Sequence, residues 1–289
     1  MKRIIVYLIC LLLFHTAVCA QGVKPTNVYR VKVTSRYVIE DGERTRQFYA
    51  VNQEISDSLG RMHTEIDYDW ETRYPNNYRW HFFDSMLLVR TEYYVNETLD
   101  RRVVVEYDPD TLVIAERHYR LQDNDTLLDR TIEYSYDSNR LPVRVVATND
   151  AGRRLYRSRS SYDDQGTEIR RRVTGRRGDP DDSIRRLDRQ AEYDSTGIMV
   201  SETVQLRMSD RSREQYSKQY TYDEQGNLSG VLKLDEAGNQ ISRIEYARDR
   251  RNRLQRIISY DADDNLVKFL ALRYEIYRTT DRRQRVIDY

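Results

Sequence analysis

Arginine is the residue type in this chain with the clearest capacity for binding chemistry. Six of the 48 basic residues are Lys and the other 42 are Arg. The densest run lies between Ile169 and Arg189, where eight arginines are interspersed with four aspartates. A guanidinium keeps its charge and donates a planar fork of hydrogen bonds to carboxylates and phosphates. The run therefore predicts a site for an acidic glycan or a lipid headgroup at Arg172, Arg176 and Arg177. The alternative is a solvated loop in which Arg and Asp side chains pair with one another.

An aromatic segment from Trp70 to Trp80 is the second candidate, because it contains both Trp residues of the chain. Tyr74 and Tyr78 lie on either side of a Pro-Asn-Asn sequence, which is typical of a loop. Aromatic side chains carry much of the binding energy at interfaces, and they are also large fillers for a core. Two interpretations stay open. Either the two Trp side chains fill the open end or edge of a sheet, or these four aromatic residues form a contact loop.

Catalytic and metal-binding chemistry has no comparable signal. His63, His81 and His118 are scattered, and none has a second His at the spacing of a metal site. The chain contains no Gly-x-Ser-x-Gly elbow and no phosphate-binding loop. We therefore expect no enzyme activity, no cofactor and no metal site.

A Tyr-Asp repeat is the pattern that must position these side chains. Seven Tyr-Asp pairs recur at intervals of 39, 29, 26, 31, 29 and 38 residues, and the final Tyr follows the last pair by 29. Several pairs are followed within a few residues by Gly or Asn, which is the chemistry of a tight turn. A repeating interval of this kind is typical of a repeat architecture. The framework tyrosines are Tyr68, Tyr107, Tyr136, Tyr162, Tyr193, Tyr222, Tyr260 and Tyr289.

Between these turns the sequence alternates with period two, which is typical of a strand with one buried face. In the stretch before Asp137, for example, Ile132, Tyr134 and Tyr136 share one side. We therefore predict an all-β fold, a repetitive antiparallel meander that forms one long curled sheet of roughly 18–20 short strands. Hydrophobic residues make up 39% of the chain even with Tyr counted, which is too few for a thick two-layer core.

The Tyr-Asp-x-x-Gly pattern resembles the YD repeats of the RHS family of bacterial surface and toxin proteins, which animal teneurins also carry. The resemblance covers Tyr68 to Tyr289 and implies a long, curling antiparallel sheet. In large members of that family the sheet closes into a hollow shell around a toxic payload. Here the array is short, and we find neither the family's Gly-rich core element nor a toxin domain after it. The shell and toxin functions are therefore not expected of this chain.

The first residues resemble an export signal. Lys2 and Arg3 precede the apolar run Ile4–Phe14, and small residues precede Gln21. This pattern predicts a signal peptide over 1–20, with cleavage before Gln21. The repeat-containing sheet domain is then 21–289, with the aromatic segment as an insertion at 69–82.

Cysteine usage offers a second interpretation of the signal. Cys19 could be the lipid-bearing residue of a lipoprotein, but Val18 is bulky where that signal prefers a small residue. Both cysteines, Cys10 and Cys19, lie in the signal. The mature chain is therefore expected to have no disulfide and no thiol chemistry.

Together these patterns predict a non-catalytic binding or scaffolding protein of the bacterial cell envelope. Its location would be periplasmic, cell-surface or extracellular, and its partner a glycan or an envelope protein bound through loops and one sheet face. The near balance of 48 basic and 47 acidic residues argues against nucleic acid as the partner. No transmembrane segment is expected after cleavage. The alternatives are an outer-membrane β-barrel, against which the mean hydropathy of −0.84 argues, and an exported hydrolase without a recognisable motif.

Overall fold

The computed structural model describes residues 28–69, 71–122, 125–175 and 184–278, and every regular element within them is a β-strand. The predicted all-β class is confirmed, and so is the predicted number of strands. None of the described segments forms a helix that could cross a membrane. The eighteen strands are β1 (Val28–Glu40), β2 (Glu43–Ser56), β3 (Met62–Tyr68), β4 (Pro75–Asp84), β5 (Leu87–Val95), β6 (Thr98–Tyr107), β7 (Val113–Gln122), β8 (Asp125–Tyr136), β9 (Pro142–Asn149), β10 (Arg154–Tyr162), β11 (Glu168–Gly175), β12 (Ile184–Tyr193), β13 (Met199–Met208), β14 (Arg213–Tyr222), β15 (Leu228–Asp235), β16 (Gln240–Arg248), β17 (Leu254–Tyr260) and β18 (Leu266–Arg278).

The strands form one antiparallel meander that closes on itself. Each strand pairs with the next along the chain, and β1 also pairs with β18. Val31, for example, lies opposite Ile55 of β2 and opposite Glu275 of β18. The predicted curled sheet therefore closes into an 18-stranded barrel, which the sequence pattern did not predict. Closure removes both edge strands, whose unpaired N–H and C=O groups would otherwise remain available to other chains.

The Asp residues of the repeat organise the turns, as their sequence context predicts. In a typical case, the Asp163 side chain accepts hydrogen bonds from the backbone N–H groups of Gln165 and Thr167, at 3.0 and 2.8 Å. Gly166 of that turn has φ of 83°, a left-handed conformation that favours Gly. The same turn also occurs without Tyr before it, at Asp249. The Asp, rather than the Tyr, therefore defines the turn.

The unequal intervals of the repeat follow from the meander. Intervals of 26 to 31 residues span two strands, so that successive Tyr-Asp turns return to the same rim of the barrel. Intervals of 38 and 39 residues span three strands and move the next turn to the opposite rim. The tyrosines from Tyr107 to Tyr222 accordingly end even-numbered strands, whereas Tyr68 ends β3 and Tyr260 ends β17.

The two faces of the barrel differ in exposure. Cross-strand partners in an antiparallel pair point to the same face, so the strand register assigns each side chain to one of them. We call the first the shielded face, because it carries most of the buried apolar side chains, and the second the arginine face, because it carries Arg159 and Arg172. Among the described residues only ten apolar side chains are buried, in agreement with the thin core that the composition predicts. On the shielded face these include Val103, Ile132, Ala147, Val173, Ala191 and Val204.

Candidate functional site

Among the described strands, β9, β10 and β11 carry the densest concentration of unpaired charge, because their arginines lie on the same face. Arg172 of β11 lies opposite Arg159 of β10, which in turn lies opposite Arg144 of β9. Arg157 of β10 and Arg170 of β11 lie two residues along their strands from Arg159 and Arg172, so the same face carries further arginines on both strands. The result is an open depression of about 410 Å³ lined by Arg157, Arg159, Ser161, Arg170, Arg172, Thr174 and Arg186.

Asp188 is the carboxylate that faces this cluster from β12. Arg170 donates two hydrogen bonds to it, at 2.9 and 2.8 Å, and Arg172 donates two more, at 3.0 and 2.9 Å. The Arg186 guanidinium lies 3.6 Å from the same carboxylate. The hydrogen bonds from Arg170, followed by those from Arg172, lower the pKa of Asp188 to about 2. One negative charge thus faces three guanidinium groups, and the local charge stays positive.

The neighbouring arginines have no such acid. In the described ranges, Arg144, Arg157 and Arg159 form no ion pair. The pKa of Arg157 is lowered from its ordinary value, chiefly by repulsion from Arg159 and further by burial and by Arg154. Like charges directly opposite each other on a sheet are destabilising. An anion placed among these side chains would relieve the repulsion, so the depression has the electrostatics of an anion-binding surface.

The predicted arginine candidates fall partly on this surface. Arg172 belongs to it, while Arg176 and Arg177 lie outside the described residues. The interpretation of Arg170 and Arg172 as self-paired with Asp residues is correct for their contacts with Asp188. Sequence reasoning missed Arg144, Arg157 and Arg159, because strand register, rather than sequence proximity, brings them to Arg172. The signal that could have found them is Arg at i and i+2 on successive strands.

The structure of the aromatic segment differs from the predicted loop. Trp70 lies outside the described residues, and the turn after Asp69 ends at Tyr74, whose side chain is 62% exposed. Strand β4 begins directly afterwards, at Pro75, so the Pro-Asn-Asn sequence is the start of a strand and not a loop tip. Proline is tolerated as the first residue of a strand because its missing N–H is not needed for the ladder.

The two remaining aromatic candidates pack on the sheet. Tyr78 and Trp80 lie two residues apart on β4, opposite Tyr94 and Glu92 of β5. The ring centroids of Trp80 and Tyr94 are 4.7 Å apart. Trp80 is the sixth of the ten residues of β4, which lies between β3 and β5, so its ring packs along the sheet and not at a lateral edge. Of the three aromatic candidates that the structure describes, Tyr74 is the one in a turn with an exposed ring.

The framework tyrosines connect consecutive repeats. Five of them donate their hydroxyl hydrogen bond to a backbone carbonyl at the start of the preceding strand. In Tyr136 and Tyr222 the acceptors are Val113 and Met199, each at 2.7 Å, and each lies directly after the preceding Asp turn. The other three pairs are Tyr107 with Leu88, Tyr162 with Pro142 and Tyr193 with Glu168, at 2.9 to 3.0 Å.

The tyrosines at the opposite rim bond to side chains instead of backbone carbonyls. Tyr68 donates to the Gln53 side chain at 2.8 Å, and Tyr260 to the Glu245 carboxylate at 3.3 Å. Tyr289 lies outside the described residues. The described framework tyrosines therefore serve the sheet rather than a binding surface.

Histidine contacts are local. His81 lies 3.0 Å from the Thr91 hydroxyl, His118 lies 3.2 Å from Glu116, and His63 lies 3.1 Å from Asp57. Within the described ranges, no three His, Cys, Asp or Glu side chains form a group that could hold a metal ion.

No protein-family model matches this chain, and no curated protein matches it in sequence. Among solved structures, it is similar to the Tc holotoxin pore of Photorhabdus luminescens, at 15% identity over 79% of this chain and with a TM-score of 0.38. This chain spans 13% of the length of that toxin chain. It is also similar to a porin-like protein from Bacteroides uniformis, at 10% identity over 85% of this chain and 96% of the other, with a TM-score of 0.41. A LolA superfamily protein from Nitrosomonas europaea gives 10% identity over 88% and 87% of the two chains and a TM-score of 0.25. At these low values, function has to be inferred from the side chains of this chain.

Proposed function

We propose that this protein is an exported, non-catalytic barrel of the bacterial cell envelope that binds an anionic ligand through its arginine face. The observation that carries the proposal is that Arg157 and Arg159 line the depression, with Arg144 opposite Arg159 on the same face, and none of the three forms an ion pair within the described residues. Without a ligand, this arrangement costs stability through repulsion. With an anion bound, each guanidinium can make a charge-assisted hydrogen bond, roughly twice as strong as a neutral one.

The predicted export supports the envelope location. Residues 1–20, including the cleavage site and the Cys19 alternative, lie outside the described residues, so both interpretations of the signal stay predictions. The relationship to YD repeats also stays a proposal. It is supported by the recurring unit of Tyr, Asp turn and hydroxyl-to-carbonyl bond, which appears in five successive hairpins.

An outer-membrane barrel is the second candidate, and the closure of β1 on β18 is the observation that favours it. Such a barrel needs an apolar band around its whole outer face. If the arginine face pointed outward, Arg159 and Arg172 would meet lipid, and an Arg at the bilayer midplane costs roughly 2–4 kcal/mol. If the shielded face pointed outward, the ion pair of Lys32 and Glu54 would meet lipid instead. We therefore prefer a barrel whose faces are both in water.

Retention on acidic and neutral matrices tests anion binding. The mature chain is expected to bind carboxymethyl-dextran beads, to pass through unmodified dextran, and to elute with salt. The double variant Arg157→Ala/Arg159→Ala should elute at clearly lower salt. Arg250→Ala/Arg251→Ala, in an exposed turn of another part of the barrel, removes the same charge and is the matched control. Equal retention on both matrices, or an equal loss in the two double variants, would contradict the proposal.

Carbonate extraction of membranes from the producing cells tests the second candidate. We expect release into the supernatant, because a barrel in water is held to membranes by contacts that alkaline carbonate breaks. A chain that begins at Gln21 and stays in the extracted pellet would instead support the outer-membrane barrel.

A further inference from the structure

We infer that the anionic ligand is a linear acidic polysaccharide that lies across the strands, a refinement that rests on the proposed anion-binding function. Two parallel rows of arginines on the arginine face carry this inference. The first row runs through Arg144, Arg159 and Arg172 at directly paired positions of β9, β10 and β11.

The second row is longer. Arg157 lies opposite Thr174, which lies opposite Arg186, and the row continues through Arg207 of β13 to Arg213 of β14. Neighbouring strands are about 4.8 Å apart, so this row extends roughly 19 Å across five strands. It lies two residues along each strand from the first row, or about 7 Å. The arginines therefore form a broad stripe perpendicular to the strands.

A stripe of this length suits a ligand that carries many anionic groups better than a ligand that carries one. A single sulfate or carboxylate can occupy one or two guanidinium forks. A chain of acidic groups can contact several arginines in succession, and each additional contact is made at a high effective concentration. Arg186, Arg207 and Arg213 are all exposed, so a ligand can reach the far end of the row.

The neutral residues around the stripe favour sugar over nucleic acid. Proteins that hold single-stranded nucleic acid combine positive charge with aromatic side chains on which bases stack. No aromatic side chain lines the described depression, whose neutral members are Ser161 and Thr174. The next positions on the same face are Gln190, Thr203, Gln205, Gln215 and Ser217. Hydroxyl and amide groups of this kind can exchange hydrogen bonds with the hydroxyl groups of a polysaccharide.

Calorimetric titration of the mature chain with uronic acid, its oligomers of two and eight units, and a single-stranded polynucleotide tests the inference. Affinity should rise by more than about tenfold from the dimer to the octamer, because more arginines are engaged. The logarithm of the octamer affinity should fall with the logarithm of salt concentration with a slope of about −3, as for roughly four released counterions. Arg207→Gln/Arg213→Gln, at the far end of the row, should weaken binding of the octamer by a larger factor than binding of the dimer, whereas Arg250→Gln/Arg251→Gln should change neither.

The possible failures are distinguishable. Dimer and octamer binding with equal affinity would overturn the polymer inference and leave anion binding intact. A polynucleotide of equal charge binding as tightly as the octamer would overturn the assignment to a polysaccharide. Absence of binding by every acidic probe would overturn the proposed function itself. Thermal unfolding of each variant alongside the wild type shows that a loss of binding is not a loss of fold.

Discussion

Two sectors of the barrel place their apolar side chains on opposite faces. In the second sector, β9–β14, the shielded face carries apolar side chains such as Val173 and Val204, and the arginine face is charged. In the first sector, β1–β5, the shielded face carries charged residues, among them Lys32 and Arg79, and the opposite face carries Val31, Val33, Ile55, Ile66 and Trp80. A closed sheet cannot exchange its faces, so the buried apolar side chains lie on the shielded face in the second sector and, as at Val31, on the opposite face in the first.

The two sectors also differ in how their charges are balanced. In the first sector, Lys32 pairs with Glu54, and Arg79 binds Glu65 and Asp67 at 2.6 and 2.9 Å. Lys32 and Arg79 there each have an acid as partner. In the second sector, Asp188 is bound by both Arg170 and Arg172, while Arg144, Arg157 and Arg159 form no ion pair within the described residues. Charge alone therefore does not mark a site in this chain, whereas a cluster of arginines without an acid does.

The largest expected loss of stability follows from breaking a buried ion network in the second sector. Glu202 is 4% exposed and binds both Arg189 and Lys218, the latter at 2.8 Å. Glu202→Ala should lower the free energy of unfolding by about 3 kcal/mol, because it leaves Lys218 without its acid and Arg189 with Glu168 alone. Chemical denaturation measures the change. Glu54→Ala, which breaks the more exposed pair with Lys32 in the first sector, should cost less than about 1 kcal/mol. Equal losses would remove the difference between the sectors.

Tyrosine truncation should give the next largest effect. Tyr222→Ala is expected to cost about 2–3 kcal/mol, because it removes a half-buried ring and the hydrogen bond to the Met199 carbonyl. Tyr222→Phe should cost about 1 kcal/mol, since it removes the hydrogen bond alone. Tyr68→Phe in the first sector should cost less, because the Gln53 side chain that it releases can turn toward water. A Tyr222→Ala variant that melts like the wild type would show that this ring faces solvent and serves no framework role.

Acid stability should depend on Asp188. The pKa of this carboxyl is lowered to about 2 in the folded protein, so its stabilisation is complete above the unfolded-state pKa and is lost as pH falls toward 2. We expect a contribution of about 1–2 kcal/mol, reduced because its arginine partners are exposed to solvent. Unfolding of wild type and Asp188→Asn between pH 5 and pH 2 measures it. A wild-type profile that runs parallel to that of the variant would show that the ion pairs contribute nothing.

The smallest expected effect is a gain in affinity for the ligand. Asp188→Asn removes the acid that Arg170 and Arg172 bind, so binding of an eight-unit uronate should tighten by a few fold at low salt. The gain should disappear at high salt, where exposed charges are screened. Weaker binding by this variant would indicate that Asp188 positions Arg170 and Arg172 for the ligand.

The sequence contained most of the fold, because its signals are local. Alternation around Ile132 and the Asp turns, as at Asp163, depend on neighbouring residues, so strand number and turn chemistry could be predicted. Closure could not, because it depends on pairing between β1 and β18, which lie at opposite ends of the chain. The loop interpretation of Pro75 failed because Pro and Asn also occur at the start of a strand.

The candidate site was harder to predict for a different reason. Arg172 was found from the local density of Arg. Its partners Arg144 and Arg159 depend on the register of three strands, and that register is shifted by irregularities such as the one between Ser161 and Tyr162. A one-residue slip would send each of these side chains to the opposite face.

Arginine-selective modification with phenylglyoxal, read by mass spectrometry with and without an eight-unit uronate, shows whether the ligand lies on the arginine face. The ligand should slow modification of Arg144, Arg157, Arg159, Arg186 and Arg207 of the second sector. The exposed Arg36 and Arg46 of the first sector should react at the same rate in both samples. Protection that is equal in the two sectors, or confined to the first, would contradict the assignment of ligand binding to the arginine face.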